Sequence, residues 1–258
     1  MLNFKKKNEV SSLEEILVEN CPACQRYICQ AYYMQDGTTK KRSKWFHCSC
    51  GIVKQSKSPE GKFNQAYYDK HSRATEKVRA EWEYPIRIYA PIIEELMYGR
   101  RVLLLGVDNH FQHEAFAERG WVPTTIDKNS RYADSNDFIA DDFETHKFPS
   151  ETKYNLIWIY GTLENLADPV ASIACCKELL AEDGVIFIAS ADTDFIHTRS
   201  NTLFINWKAD YNYVMWNKRA ISNHMETLGF NTILCRSNYE PRCPYRDDFH
   251  GIWQKRFF

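Results

Sequence analysis

The chain has no long apolar run. Its longest, such as residues 185–189, are strand-sized, far short of the roughly 20 residues a helix needs to cross a bilayer. It also lacks the apolar block of a secretory leader, since residues 1–20 carry Lys5-Lys6-Lys7 and then turn acidic and amphipathic. Net charge is missing too: 33 Lys and Arg stand against 34 Asp and Glu, a formal −1 at pH 7. No global field therefore draws the molecule to nucleic acid or to an anionic membrane. There is no internal repeat and no low-complexity tract. Nine cysteines, an odd number in uneven clusters, do not form a disulfide framework and fit a reducing compartment with a metal site. The expected location is cytoplasmic, with no membrane partner.

What is present is ordinary globular composition, 44% hydrophobic and 26% charged over 258 residues. That length holds one domain of about 200 residues with a small appendage, or one large domain. The first arrangement fits the motifs, with residues 1–58 as an N-terminal segment and ribbon and residues 59–258 as the main domain.

Cys21-Pro22-Ala23-Cys24 is a C-x-x-C knuckle, answered by His47-Cys48-Ser49-Cys50-Gly51. Two ligands three positions apart on a tight turn face one ion, and a second such turn completes a tetrahedron. Cys21, Cys24, His47 and Cys50 are the preferred set, with Cys48 the rival for the third place. Thiolate and imidazole ligands favour Zn²⁺. Cys29 reads as an ordinary packed thiol, and a second site from Cys235 and Cys243 lacks further cysteines nearby. Between the knuckles, Lys40-Lys41-Arg42 lies close to Trp45-Phe46. Basic residues beside aromatics suit nucleic acid, but a solvated hairpin tip leading into an inward-facing strand is the favoured reading.

From residue 63 to 97 the pattern is largely helical, with a break at Pro85. Strand and helix patterns then alternate. Strands are expected at 102–105, 122–126, around 138–140, at 154–160 and at 185–190, and helices at 114–119 and 168–180, with a turn at Asp183-Gly184 before the last strand. Continuous apolar strands in β/α alternation indicate a parallel sheet covered on both faces. A helix over 220–228 and strands at 230–235 and 251–257 close the chain, with 238–250 as a linker.

These pieces resemble a known family. CPAC, HCSCG, Tyr67-Tyr68-Asp69, Gly106, Asp127, Asp141-Asp142-Phe143-Glu144, Leu156-Ile157-Trp158 and Leu163-Glu164-Asn165-Leu166-Ala167-Asp168-Pro169 follow in order, closed by 179–185. Over roughly residues 21–230 the chain is similar to class I S-adenosylmethionine-dependent methyltransferases with an N-terminal zinc ribbon, often found in sugar or polysaccharide biosynthesis. The resemblance implies a Rossmann-like α/β sheet, mostly parallel with a C-terminal antiparallel hairpin. It implies S-adenosylmethionine and Zn²⁺ as cofactors. Asp127 would accept both ribose hydroxyls, Asp142 or Asp141 the adenine amino group, and Tyr160-Gly161-Thr162 would line the sulfonium. Ligands of such sheets bind beyond the carboxyl ends of the strands. Asp168, before Pro169, reads instead as a helix cap.

The turn Gly106-Val107-Asp108-Asn109-His110 departs from the family, which has an acid where Leu104 stands and glycines at 108 and 110. Glycine lets backbone approach the ligand and frees a helix N-terminus for the methionine carboxylate. Asp108 near that carboxylate is repulsive by about 1 kcal/mol in water and about 4 at an effective dielectric of 20. Placed instead against the cofactor ammonium, it replaces the acid lost at Leu104. His110 would crowd the pocket.

Beyond the fifth strand, 191–199 leads into Phe204, Trp207, Tyr211, Tyr213 and Trp216. The corresponding family region covers the acceptor, and aromatic faces stack on sugars or bases; a packed flap is the equal alternative. Methyl transfer is an in-line displacement that depends on alignment, and a base is needed only when the acceptor must lose a proton. His197 is the first choice for that base, with Asp194 or Tyr213 behind it. The expected function is methyl transfer to a small-molecule or glycan-like acceptor. The alternatives are a catalytically inactive methyltransferase-like binding protein and a nucleic-acid methyltransferase using the basic hairpin. The acceptor atom and the oligomeric state have no signature in the sequence.

Overall fold

A computed structural model describes residues 19–28, 30–35, 41–56, 76–106, 110–128, 137–195, 211–237 and 248–256. In chain order the elements begin with β1 (Glu19–Asn20), β2 (Tyr27–Ile28), β3 (Gln30–Gln35), β4 (Arg42–His47) and β5 (Val53–Gln55), then α1 (Glu76–Glu94). The central alternation is β6 (Arg101–Leu105), α2 (Phe111–Glu118), β7 (Val122–Asp127), β8 (Phe138–Ala140), β9 (Tyr154–Tyr160), α3 (Pro169–Leu179) and β10 (Leu180–Ala191). β11 (Val214–Met215), α4 (Lys218–Thr227), β12 (Phe230–Ser237) and β13 (Asp248–Lys255) follow.

The large sheet has the order β12-β13-β10-β9-β6-β7-β8. Strands β6 to β10 run parallel, and β13 pairs antiparallel with both β10 and β12. This is the expected Rossmann-like sheet with its antiparallel closing hairpin. The order reverses between β6 and β9, the position at which α/β sheets open a ligand crevice. Alternation along each strand divides the core. Leu103, Leu105, Ile157, Ile159, Ile186 and Ile188 face α3, α4 and the cysteine-rich end. Leu104, Trp158, Phe187 and Ile252 face Ile86, Tyr89 and Ile93 of α1 and Phe116 of α2. Trp158 and Phe187 stack between strands with centroids 3.8 Å apart.

Four departures from the sequence reading have physical causes. Pro85 does not break its helix: α1 runs through both Pro85 and Pro91. A proline inside a helix costs roughly 3 kcal/mol, and here Ile86, Tyr89, Ala90 and Ile93, spaced for one helical face, are all buried against the sheet. The turn at Asp183-Gly184 is absorbed into β10, which starts at Leu180 and carries an irregularity in its pairing with β9 before Val185. β13 begins at Asp248, so His250 stands in a strand rather than in a linker.

The fourth is β11, which joins the small N-terminal sheet in the order β11-β5-β4-β3, pairing Val214 with Lys54 and Met215 with Val53. The N-terminal unit therefore shares a sheet with the region after β10, and Phe46, Cys48 and Ile52 share a core cluster with Trp216 and Ile221. Where a helix start is set locally, sequence and structure agree. Asp168 caps α3, accepting from Ala171 N at 2.9 Å with Pro169 in the first turn.

Candidate active site and cysteine cluster

Two tight turns build the cysteine cluster. In the first, between β1 and β2, Cys21 N donates to Arg26 O at 2.8 Å and Gln25 N to Cys21 O at 2.9 Å. In the second, Cys48 N donates to Ile52 O and Gly51 N to Cys48 O, both at 2.9 Å. Gly51 has φ +105°, and a side chain there would collide with the Asn217 amide. The turns bring Cys21, Cys24, Cys48 and Cys50 together, with all four sulfurs within 4.8 Å of one another. The Cys21–Cys50 and Cys24–Cys48 separations are 3.6 and 3.4 Å. A zinc–sulfur bond of about 2.3 Å implies sulfur–sulfur edges of about 3.8 Å in a tetrahedron, so the set fits that ion.

His47 is not one of the four. It sits in β4, paired in register with Gln30 and Val53, and Cys48 takes the place the sequence reading gave to His47. Strand alternation turns residue 47 out of the turn that carries 48 and 50. The thiols also perturb one another: the Cys50 hydrogen bond draws the Cys21 pKa down to about 5, and the same contact pushes Cys50 up. Cys29 and Cys243 lie outside the described residues, and Cys235 contacts Lys218 O at 3.9 Å with its pKa raised by burial to about 11.

At the switch point Gly106 holds φ +64°, and a Cβ there would strike the Thr162 side chain. Its N–H donates to Ile126 O at 3.0 Å. The Thr162 hydroxyl is shared between Leu105 O at 3.0 Å and Gly106 O at 3.1 Å, so it ties two loops together. Gly161 N donates to Ala189 O at 2.9 Å, and Gly161 O accepts from the Asn165 amide at 3.0 Å.

Asp127 is buried at the end of β7. Asp142 pairs with Lys128 at 2.6 Å and accepts from Glu144 N at 3.1 Å. Asp141 accepts from its neighbour's N–H and lies 2.8 Å from His146 Nδ1, a contact that lowers its pKa. Tyr160 packs on the α1 side of the sheet, its ring 5.3 Å from Trp82. Leu104, where the family has an acid, is fully buried. Asp108 lies outside the described residues; His110, just beyond it, is directed at Glu114, 3.3 Å away.

On the acceptor side His197 lies outside the described residues, as do Phe204 and Trp207. Asp194 is described, and it is occupied: Lys218 Nζ lies 2.7 Å and Asn217 Nδ2 3.0 Å away. The same ammonium meets Asp192 Oδ2 at 3.0 Å and Ser237 Oγ at 2.6 Å. Burial raises the Asp192 pKa. Burial opposes the charge on Lys218, but the two carboxylates outweigh it and raise its pKa. Asp194 is thus engaged in an ion pair with Lys218. Tyr213 serves as a backbone bridge: its N–H donates to Glu164 O at 2.6 Å, its carbonyl accepts from Gln55 N at 2.7 Å, and its ring lies under Lys54. Trp216 is fully buried, as is Trp45, and Phe46 is nearly so. The aromatics beside Lys41 and Arg42 therefore offer no open face to a base.

The sequence reading missed Lys218, the Glu164–Ser190 contact at 2.6 Å between two buried side chains, and His250. Lys218 and His250 carry no local motif, and the partner of Glu164, though that residue lies in the 163–169 stretch, is given only by the fold.

No helix among the described residues is long and apolar enough to cross a membrane. A family model described as a methyltransferase domain matches residues 74–234. Ubiquinone biosynthesis O-methyltransferases from Glaesserella parasuis and Pasteurella multocida are 28% identical over 109 residues and 29% over 112 residues, each match covering 36% of this chain and 46% of the relative. The chain thus spans about half the length of these curated relatives. The plantazolicin methyltransferase BpumL, solved in complex with SAH, superposes with a TM-score of 0.55 at 13% identity over 74% of this chain and 88% of its own. The CcbJ methyltransferase from Streptomyces caelestis gives 0.55 at 10% identity, over 78% and 100%. At these identities the likeness is one of fold.

Proposed function

Because the chain belongs to the methyltransferase domain family, we propose that it transfers a methyl group from S-adenosylmethionine to a small-molecule acceptor, glycan-like acceptors included. The carrying observation is the switch point itself, where the Gly106 cradle lies between a buried Asp127 and the Gly161 turn. Asp127 would take the ribose hydroxyls, Asp142 and Asp141 the adenine edge, and the Gly106 turn would leave room for backbone to approach the methionine end. When bound, the cofactor supplies a methyl group on a positively charged sulfur. The protein's part is alignment and exclusion of water, with Thr162 fixing the two loops against each other.

The second cofactor in this reading is zinc, held by Cys21, Cys24, Cys48 and Cys50. Four thiolates leave no open position, so the ion is structural rather than catalytic. A ribbon of free thiols suits a reducing compartment such as the cytoplasm.

Calorimetric titration with S-adenosylmethionine and S-adenosylhomocysteine tests the enzyme reading. Both should bind, and Asp127→Asn should weaken them by about tenfold or more. Failure of both at millimolar concentration would end it. That outcome would favour a non-catalytic binding protein on the same fold, a reading supported by the apolar Leu104 in place of the family acid.

A further inference from the structure

The short turn that follows β9, Leu163–Asn165, is held from two directions, and both lead back to the cysteine ribbon. On the backbone side, Tyr213 N donates to Glu164 O at 2.6 Å, and Tyr213 O accepts from Gln55 N of β5 at 2.7 Å. One residue thus links the small sheet to the loop beside the switch point. On the side-chain side, Ser190 Oγ near the end of β10 donates to Glu164 Oε2 at 2.6 Å. Just beyond that strand, the Thr193 hydroxyl donates at 2.6 Å to Gly51 O, in the turn that carries Cys48 and Cys50. Thr193 N also donates to Trp216 O at 2.9 Å, which ties the two routes together. Glu164, Ser190 and Thr193 are all buried, and burial strengthens such bonds.

Glu164 in turn belongs to the loop that closes on the Gly106 turn. Its neighbour Asn165 donates from its backbone N to Thr162 O at 2.9 Å and from its amide to Gly161 O at 3.0 Å, and the Thr162 hydroxyl reaches Gly106 O at 3.1 Å. Side-chain packing follows the same line, since Trp45 and Val53 of the ribbon share one core with Ala191, Phe195 and Met215. A small cysteine ribbon folds with its metal, so the free energy of binding the ion is also that of folding the ribbon. Without the ion, β11 loses the strand it pairs with, and Tyr213 and Thr193 lose their ribbon partners. The loop at Glu164 is then looser, and a cofactor that must order it binds more weakly.

We propose that zinc at Cys21, Cys24, Cys48 and Cys50 and S-adenosylmethionine at the Gly106 turn bind cooperatively, each raising the affinity for the other through Tyr213 and Thr193. This rests on the methyltransferase and zinc readings above. Tyr213 and Thr193 are positioning residues, which act through the Glu164 loop and not on the cofactor itself. The two states are a folded ribbon with β5 and β11 paired and an open ribbon with that pairing lost. Coupling of this kind is reciprocal, so one factor must appear in both titrations.

The test uses the whole protein with its thiols reduced. Zinc affinity is measured by competition with a chromophoric chelator, with and without saturating S-adenosylhomocysteine. The affinity for S-adenosylhomocysteine is measured by calorimetry on zinc-loaded and zinc-free chains. Both should change by the same factor, about tenfold. Hydrogen exchange locates the cause: zinc removal should open the amides of Gln55 and Tyr213 and leave that of Ile157 in β9 protected. Thr193→Val, which keeps the size and loses the hydroxyl, should still bind zinc with the factor cut to about threefold, and Thr193→Ser should restore it. Affinities indifferent to the other ligand overturn the proposal. So does lost protection at Ile157, which would make the coupling one of global unfolding, and so does an undiminished factor in Thr193→Val. The titrations are read on the unaltered chain, so misfolding of a variant cannot rescue it. A chain that binds no zinc fails the zinc reading, and one that binds no S-adenosylhomocysteine fails the methyltransferase reading; each failure is separately visible, and the proposal falls with either.

Discussion

At the switch point, Gly106 follows β6 and Asp127 ends β7, adjacent parallel strands, and Asp141-Asp142 follow β8. Each is set by the end of its own strand. Around β10, β11 and β13 the decisive contacts span more than half of the chain. The Thr193 hydroxyl donates to Gly51 O at 2.6 Å across 142 positions, and Tyr89 meets His250 across 161. The switch-point end is assembled largely from local motifs. The second region is assembled from pieces that have no meaning apart. Damage to the second should therefore spread further than damage to the first.

The largest contrast lies at the cysteines. Structural zinc contributes on the order of 10 kcal/mol in small zinc domains. Cys48→Ser should remove the metal, lower the melting temperature more than any other single change considered, and open hydrogen exchange at Gln55, whose N–H reaches Tyr213 across the small sheet. His47→Ala should keep about one zinc per chain by elemental analysis. The reverse pattern would restore His47 as a ligand.

Acid is the next lever. The His250 pKa is depressed from 6.5 to about 3, so the unfolded chain takes up a proton that the folded ring refuses. The resulting stability is complete above pH 6.5 and is lost as pH falls toward 3, up to about 5 kcal/mol in all. Urea unfolding at a series of pH values should show this loss, and His250→Gln should flatten it. An unchanged slope would mean that other groups govern acid sensitivity.

Lys218→Met should destabilise by about 3 kcal/mol, because it strands the fully buried Asp192. Adding Asp192→Asn to it should recover part of that loss, and additive effects would deny the coupling. The smallest effect belongs to the locally built half: Asp168→Ala removes one cap bond and should cost about 1 kcal/mol in the same assay.

The same contrast explains what could be read in the sequence. β6, β8 and β9, the Gly106 turn and the Asp168 cap follow from short-range patterning, and the structure has each of them. The α1 helix is interrupted on paper because proline removes a donor, an argument blind to the sheet face that Ile86 and Ile93 cover. His47 closes β4 while Cys48 starts the turn that gathers with Cys21, Cys24 and Cys50, a distinction that spacing alone does not make. β11 is two residues long, below any periodicity, and exists only because β5 offers it an edge. His250 and Lys218 gain meaning from Tyr89, Arg236 and Asp192, whose proximity no local pattern encodes. Asp194 was visible as an acid, but its neutralising lysine was not.

The pairing of β5 with β11 also bears on how the molecule is made. More than half of the chain is synthesised between those two strands. A nascent N-terminal sheet can gather its cysteines early, yet its β5 border waits unpaired while the main sheet is translated, open to a neighbouring chain in the meantime.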